Sequence, residues 1–348
     1  MTRNWLTALA FLFVMAVPLA AQTQVPELIP DPVPGAKPVT LERITIHGAA
    51  LEGNLEGDTP DRAAIVYLPP SYAASPGRHY PVVYLLHGYS STLDRWDRRL
   101  HTTLEGAFAN GAREMIMVMP DATTLHDGAM YGNSVTTGDW EAFIAHDMVT
   151  YMDSHYRTIP DRLSRGLAGH SMGGFGTLRN GMKHPEVFGA LYALSPCCLS
   201  VPASMAPEMA KQIEAAKTPG DSAKLTFFPR AQLAAAAAFS PNPKNPPLYL
   251  DLPVKDGVMQ PAVQARWNAN APLAIVHQYV SNLRQYRAIA IDVGDQDNLK
   301  VDAGAFHGIL DDYGIANSFE IYSGTHTSAL ADRMQNHVMP FFSRNLKF

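Results

Sequence analysis

Gly169-His170-Ser171-Met172-Gly173 constrains the fold of this chain more than any other stretch of it. It follows the short apolar run 163–170 and precedes Gly173-Gly174-Phe175-Gly176, which opens a segment suited to a helix through Leu178 and Met182. A serine on a strand-to-helix turn is held in a strained, exposed position. The flanking glycines are required because a Cβ there would collide with the adjoining strand or helix. Five fixed letters recur by chance in a chain rich in small residues. The strand-turn-helix setting is what makes Ser171 a candidate nucleophile.

A free hydroxyl attacks poorly. It needs a base within hydrogen-bond reach and a third group to hold that base in the right tautomer. When the serine sits on such an elbow, its partners follow in the order acid, then histidine. The acid is expected beyond a later strand, and Tyr286-Arg-Ala-Ile-Ala-Ile-Asp-Val293 is such a run, followed by Gly294-Asp295-Gln296-Asp297-Asn298. Asp292 is inside the apolar run and reads as a structural hydrogen-bonding group. Asp297 is far enough round the turn to point back at the sheet's active edge and is favoured. Asp295 is the alternative, with turn capping as its other role.

The histidine is expected after the last strand, 319–322, where Ser323-Gly324-Thr325-His326-Thr327 precedes a helical segment over 328–345. His326 is the candidate base. His307 and His337 fall within helical patterns as surface or packing residues, and His170 packs beside the serine. Two backbone N–H groups should receive the charge that develops on a carbonyl oxygen. One belongs to Met172, next to the serine. The other belongs to Tyr89, because the run 81–87 ends in Gly88-Tyr89-Ser90 and Gly88 lets the chain turn sharply.

Three segments together carry a family resemblance: Val66-Tyr-Leu-Pro-Pro-Ser-Tyr72, Tyr80-Pro-Val-Val-Tyr-Leu-Leu-His-Gly88 and Gly166-Leu-Ala-Gly-His-Ser-Met-Gly-Gly174. The chain resembles the putative esterase family, which includes esterase D, feruloyl and acetyl xylan esterases, enterochelin esterases and mycolyltransferases. The resemblance runs from about residue 41 to the C-terminus. It implies an α/β-hydrolase fold, hydrolysis of esters, and neither metal nor cofactor. The family's roles fall on Ser171, Asp297, His326 and the backbones of Tyr89 and Met172. The stretch 197–271 is longer than the simplest members carry, and substrate choice in the family often depends on such an insertion.

The order of the remaining segments fits that class. Strand-like runs at 41–47, 63–68, 80–87 and 115–119 alternate with helical patterns near 95–110 and 140–156. In the second helix Phe143, Ile144, Met148 and Met152 form a stripe that should face a sheet. This alternation predicts an α/β fold with a mostly parallel central sheet, of about eight strands, covered by helices on both faces. A chain of 348 residues with 47% hydrophobic and 17% charged residues has an ample core, and 41–348 reads as one catalytic domain. A net charge of −5 gives no reason to expect nucleic acid or an anionic membrane as partner.

Residues 1–21 read as an export signal: Arg3, an apolar centre over 5–17, and Leu19-Ala20-Ala21 before Gln22. Cleavage near Ala21 and a periplasmic or secreted product without a membrane anchor are expected. A retained anchor is the alternative. Residues 22–40, with prolines at 26, 30, 32, 34 and 38, predict an extended arm. The insertion contains helix-favouring stretches at 205–217 and 231–238, a proline-punctuated segment at 241–247 and a short extended run over 248–253. It forms either a partial helical cap over the site or a surface excursion. Cys197 and Cys198, the only cysteines, are either one strained disulfide or free thiols. Tyr89, Trp96, Tyr131, Trp140 and Phe175 lie near the expected active edge and are candidate contacts for an aromatic acyl group or a sugar face, with core or lid packing as the alternative. The substrate is expected to be a small-molecule or carbohydrate-linked ester, of short-chain acyl or feruloyl type. An acyltransferase with the same three residues, and a non-catalytic binding module, are the competing readings.

Overall fold

The computed structural model describes residues 27–348. The expected export signal and the first residues of the arm lie outside them. From Glu27 the arm runs without regular structure over the main body. Glu27 pairs with Arg99, and the Leu28 amide donates to the Ser328 carbonyl at 2.5 Å.

Eight strands form one sheet: Thr40–His47 (β1), Asp61–Leu68 (β2), Val82–Leu86 (β3), Ile116–Pro120 (β4), Arg165–His170 (β5), Ala190–Leu194 (β6), Ala288–Gly294 (β7) and Ser318–Tyr322 (β8). Their spatial order is β1-β2-β4-β3-β5-β6-β7-β8, with β1 and β2 antiparallel to their neighbours and the remainder parallel. The interior strands are continuous apolar runs because both of their faces are covered; all five residues of β3 and of β4 are buried. The edges are polar, with Glu42 and Arg43 on β1 and Glu320 exposed on β8, which discourages pairing with another chain.

Two apolar layers flank the sheet. On one face Leu93–Ala109 (α1) packs with the C-terminal helical run that passes from Leu330–Arg333 through a π-turn at Met334–Val338 into Met339–Asn345. On the other lie the helix that includes Met148–His155 (α2), Met172–Lys183 (α3) and much of the insertion. The expected stripe of Phe143, Ile144, Met148 and Met152 is fully buried there.

The insertion, 197–271, lies within the interval between β6 and β7. Its helices include Pro207–Ala215 (α4), Phe227–Phe239 (α5) and Pro261–Asn268 (α6). Ala234 through Phe239 of α5 are buried, and Ser134 donates to the Ala237 carbonyl at 2.6 Å. The extended run expected at 248–253 is displaced. The strand pair is Val254–Lys255 with Val258–Met259, joined by Asp256-Gly257, whose φ values of 52° and 72° suit a tight hairpin turn. Leu250 makes only an isolated bridge to Pro241.

Candidate active site

β5 ends in the middle of the sheet, so the turn after it emerges at the carboxyl edge among the loops after β3, β6, β7 and β8. Ser171 stands there at φ 57° and ψ −114°, outside the ordinary regions for a side chain with a Cβ. The surrounding bonds hold it. Its amide donates to the Leu194 carbonyl at 3.0 Å, and its own carbonyl accepts from Phe175 and Cys197. Two glycines make the turn possible. A Cβ on Gly173 would lie 1.9 Å from the Leu86 carbonyl oxygen, and one on Gly169 would lie 2.2 Å from the Gly173 oxygen.

His326 arrives on the loop after β8. Its Nε2 is 2.9 Å from Ser171 Oγ and its Nδ1 is 2.6 Å from Asp297 Oδ2. A carboxylate can only accept, so Nδ1 carries the proton and Nε2 presents a lone pair to the serine hydroxyl. Burial pushes the Asp297 carboxyl up. Hydrogen bonds from His326 and the Leu299 amide, with the charge attraction of His326, outweigh it and hold the group below its ordinary range. Asp295 faces elsewhere: it accepts from the Gly324 amide at 2.9 Å and so ties the acid loop to the histidine loop. Asp292, within β7, is fully buried and accepts from Tyr192 and Arg333.

His170 does more than pack. Its Nε2–H donates to the His326 carbonyl at 2.9 Å, which fixes the backbone of the base. Burial first, and the neighbouring His326 second, lower its pKa to about 3, so the ring stays neutral and keeps this one tautomeric role. His307 bonds Asn317 and lies against Phe319, and His337 stands 3.5 Å from Glu320.

The orientation of the Tyr89 amide is set by its neighbours. His87 Nε2 accepts from the Ala122 amide at 2.8 Å, so its Nδ1 carries the proton and donates to the Gly88 carbonyl at 2.8 Å. In a trans peptide the C=O and the following N–H point oppositely. With the Gly88 carbonyl drawn to His87, the Tyr89 N–H is turned away from that ring. The Ser90 and Ser91 amides are bonded to Asp127 and Gly88, while among the described residues no backbone acceptor takes the Tyr89 N–H. Met172 is the first residue of α3, so its N–H has no partner within the helix. The next strand edge is close: a Cβ on Gly88 would lie 3.4 Å from Ser171 Cβ.

Sequence reasoning missed two groups. Ser195, directly after β6, has φ 41° and a buried hydroxyl beside Asp297 and Tyr322. His87 reads in the sequence as part of a strand-to-loop bend. The histidine's place just before Gly88 was the available signal; Ser195 had none.

Four of the five aromatic side chains expected to contact substrate are turned into the core instead. Trp96, Tyr131, Trp140 and Phe175 are each no more than 2% exposed and belong to the two core layers. Two of them satisfy their polar tips inside: Tyr131 donates to the His87 carbonyl at 3.0 Å, and Trp140 Nε1 donates to the Thr137 carbonyl at 2.9 Å. Trp96 packs edge-on to His170, and Phe175 against Phe239. Large rings near the sheet's edge gain more from burial than from lining an open site. Cys197 and Cys198 are free thiols, not a disulfide. The adjacent Cys198 thiol and burial push the Cys197 thiol well up, which leaves it protonated and unsuited to attack. Among the described residues no three histidine, cysteine or carboxylate side chains converge as ligands for an ion.

The sequence pattern of the family described as "Putative esterase" matches residues 59–328. The chain belongs to this family. Esterase Rv1288 of Mycobacterium tuberculosis is 35% identical over 123 residues, a match that covers 34% of this chain and 25% of the relative. The chain therefore spans about a quarter of the length of that curated relative. Among solved structures, a ferulic acid esterase superposes with a TM-score of 0.65 at 23% identity, over 89% of this chain and 100% of its own. An S-formylglutathione hydrolase from Agrobacterium tumefaciens superposes with a TM-score of 0.59 at 14% identity, over 90% and 97% of the two chains. The fold is that of the α/β-hydrolases.

Proposed function

We propose that this family member is a serine carboxylesterase acting through an acyl-enzyme. The observation that carries the reading is the run of hydrogen bonds from Ser171 through His326 to Asp297, set beside two free amides at one sheet edge. In this reading His326 Nε2 takes the Ser171 proton as Oγ attacks the ester carbonyl. The Tyr89 and Met172 amides receive the negative charge on the carbonyl oxygen. Asp297 keeps the proton on Nδ1 and stabilises the imidazolium. The imidazolium then protonates the departing alcohol oxygen, and water attacks the acyl-serine by the same route in reverse roles.

His170 and Asp295 serve as positioning residues, one on the backbone of the base and one on the loop that carries it. The substrate is a small or carbohydrate-linked ester. The name of the ferulic acid esterase neighbour brings the feruloyl option forward beside short-chain acyl esters. Residues 41–348 act as the catalytic domain in this reading, and residues 1–21 direct export. N-terminal sequencing of the product released from an expressing bacterium should begin at Gln22; a retained Met1 would overturn the export assignment.

The test of the activity is hydrolysis of p-nitrophenyl esters from acetate to decanoate, with methyl ferulate alongside, by wild type and Ser171→Ala. The expected result is turnover by wild type and a loss of kcat on the order of 10⁵–10⁶ in a variant that still folds. Undiminished turnover by folded Ser171→Ala would overturn the proposal.

A further inference from the structure

With Trp96, Tyr131, Trp140 and Phe175 buried, another surface must meet the apolar part of an ester that reaches Ser171. The first two residues of α5 offer one. Phe227 and Phe228 are 52% and 68% exposed, and among the described residues no other phenylalanine is as open to solvent. Burying such a ring is worth about 1.5–3 kcal/mol. A helix's first turn also favours acidic or capping side chains. Two phenylalanines here forgo both gains, and the rest of α5 shows that the same helix buries apolar residues readily where it meets the core.

Their placement is tied to the reacting centre. The Phe227 ring stands edge-on to Tyr89, with centroids 5.1 Å apart, and Phe228 stands edge-on to Phe227 at 5.2 Å. Tyr89 supplies the candidate oxyanion amide, and its ring lies beside the Met172 side chain: a Cβ on Gly128 would meet both at 2.7 Å. The three rings thus form a stepped apolar ledge that starts at Tyr89, the residue whose amide is the candidate oxyanion donor, and runs onto the insertion. The ledge is held in place. Tyr89 donates to the His126 carbonyl at 2.8 Å, and His126 Nδ1 bonds Ser222 of the insertion at 2.7 Å. Arg230, one turn into α5, pairs with Asp127 at 2.5 Å and donates to the Leu125 carbonyl at 3.0 Å.

We propose that Phe227 and Phe228, with the Tyr89 ring, form the subsite for an apolar arm of the ester, of ring size or larger, that projects from the reacting carbonyl. The continuity of the ledge with Tyr89, the candidate oxyanion residue, selects this occupant over a second copy of the chain. The inference rests on the serine esterase reading. It assigns substrate selectivity to the insertion, which covers this side of the site in part.

The experiment compares wild type with Phe227→Ala, Phe228→Ala and the double variant. Both side chains are exposed, so the fold is not at stake. Hydrolysis is followed by proton release on methyl acetate, methyl decanoate, methyl 3-phenylpropanoate and benzyl acetate. These separate small from large, alkyl from aryl, and acyl side from alcohol side. The expected result is a rise in KM on the order of tenfold for at least one large ester in the double variant, with methyl acetate unchanged. Equal losses on all four esters, or no change on any, would overturn the ledge. So would a switch of oligomeric state in the variant without a kinetic change, which would make the patch an interface between copies. If wild type hydrolyses none of the four and a fluorophosphonate fails to label Ser171, the esterase reading itself falls and the ledge with it. Labelling and methyl acetate turnover without size selectivity would remove the ledge alone.

Discussion

Asp292 and Asp297 lie five residues apart on the same stretch of chain, yet their surroundings give them opposite characters. Asp292 is inside β7 with no exposed surface. It accepts from Tyr192 at 2.7 Å and from Arg333 at 2.8 Å, and Arg333 in turn holds Glu320. Burial raises its pKa to about 6 against the pull of Arg333. Asp297 is just past the strand's end, where a loop can turn its carboxylate to a histidine, and its hydrogen bonds keep it below the ordinary range despite burial. The difference teaches that the strand's end is the boundary between a carboxylate that holds the fold together and one that can serve chemistry. The same amino acid fills both positions; the partners decide.

The largest effect that would sharpen this contrast is on turnover. Asp297→Asn should lower kcat about 10⁴-fold while the protein stays folded, because the amide cannot hold the Nδ1 proton or stabilise the imidazolium. In Asp292→Asn the protein that remains folded should turn over at the wild-type rate. A large kcat loss in folded Asp292→Asn would erase the division of roles.

The next effect is on stability. Asp292→Ala leaves Arg333 buried with only Glu320 to answer it, and should cost about 3–5 kcal/mol in guanidinium unfolding. Asp297→Ala, nearer solvent and bonded to a histidine on a loop, should cost clearly less. Equal costs would contradict the comparison.

The pH dependence should have opposite signs at the two sites. The raised pKa of Asp292 means that its contribution is fully present below about pH 4 and is lost as pH rises through about 6, by at most about 3 kcal/mol. The lowered pKa of Asp297 means that its contribution is present above about pH 4 and is lost as pH falls through the lower folded value. Unfolding midpoints between pH 4 and 7 for wild type and the two asparagine variants read this directly. Removal of Asp292 should flatten the fall toward pH 6, and a fall that persists would exclude Asp292 as its source.

The smallest effect concerns the residue that steadies the base. His170→Phe keeps the ring's volume and removes the bond to the His326 carbonyl. A kcat loss of about tenfold with KM unchanged is expected. His170→Gln, which restores a donor, should recover part of it. An unchanged kcat in the phenylalanine variant would make His170 a packing residue and nothing more.

How much of this was legible in the sequence depends on whether the signal is local. The elbow was legible because glycine is required at 169 and 173 by backbone approaches of about 2 Å, and few other sequences permit them. The order of Ser171, Asp297 and His326 was legible because each follows a recognisable apolar run. The direction of a large side chain was not. Trp96, Tyr131, Trp140 and Phe175 sit near the active edge along the chain, but their rings turn inward, and only packing decides that. In the sequence Phe227 and Phe228 merely precede an alanine-rich stretch, yet they are the exposed rings beside Tyr89. The hairpin of the insertion was missed for another reason. Its strands are two residues long, too short for any periodic pattern, although Asp256-Gly257 marked the turn. Ser195 owes its place to the pairing of β6 with β7, where its amide donates to the Asp292 carbonyl at 2.7 Å, and no local pattern encodes that.

The central claim is that Ser171 is activated by its two partners, and labelling tests it most directly. The protein would be treated with a fluorophosphonate and digested, and the modified residue located by peptide mass mapping, in wild type and in His326→Ala. The expected result is a single adduct on Ser171 in wild type, loss of ester turnover in step with labelling, and labelling slowed by several orders of magnitude in His326→Ala. No adduct on Ser171, or an adduct that forms as fast without His326, would contradict it.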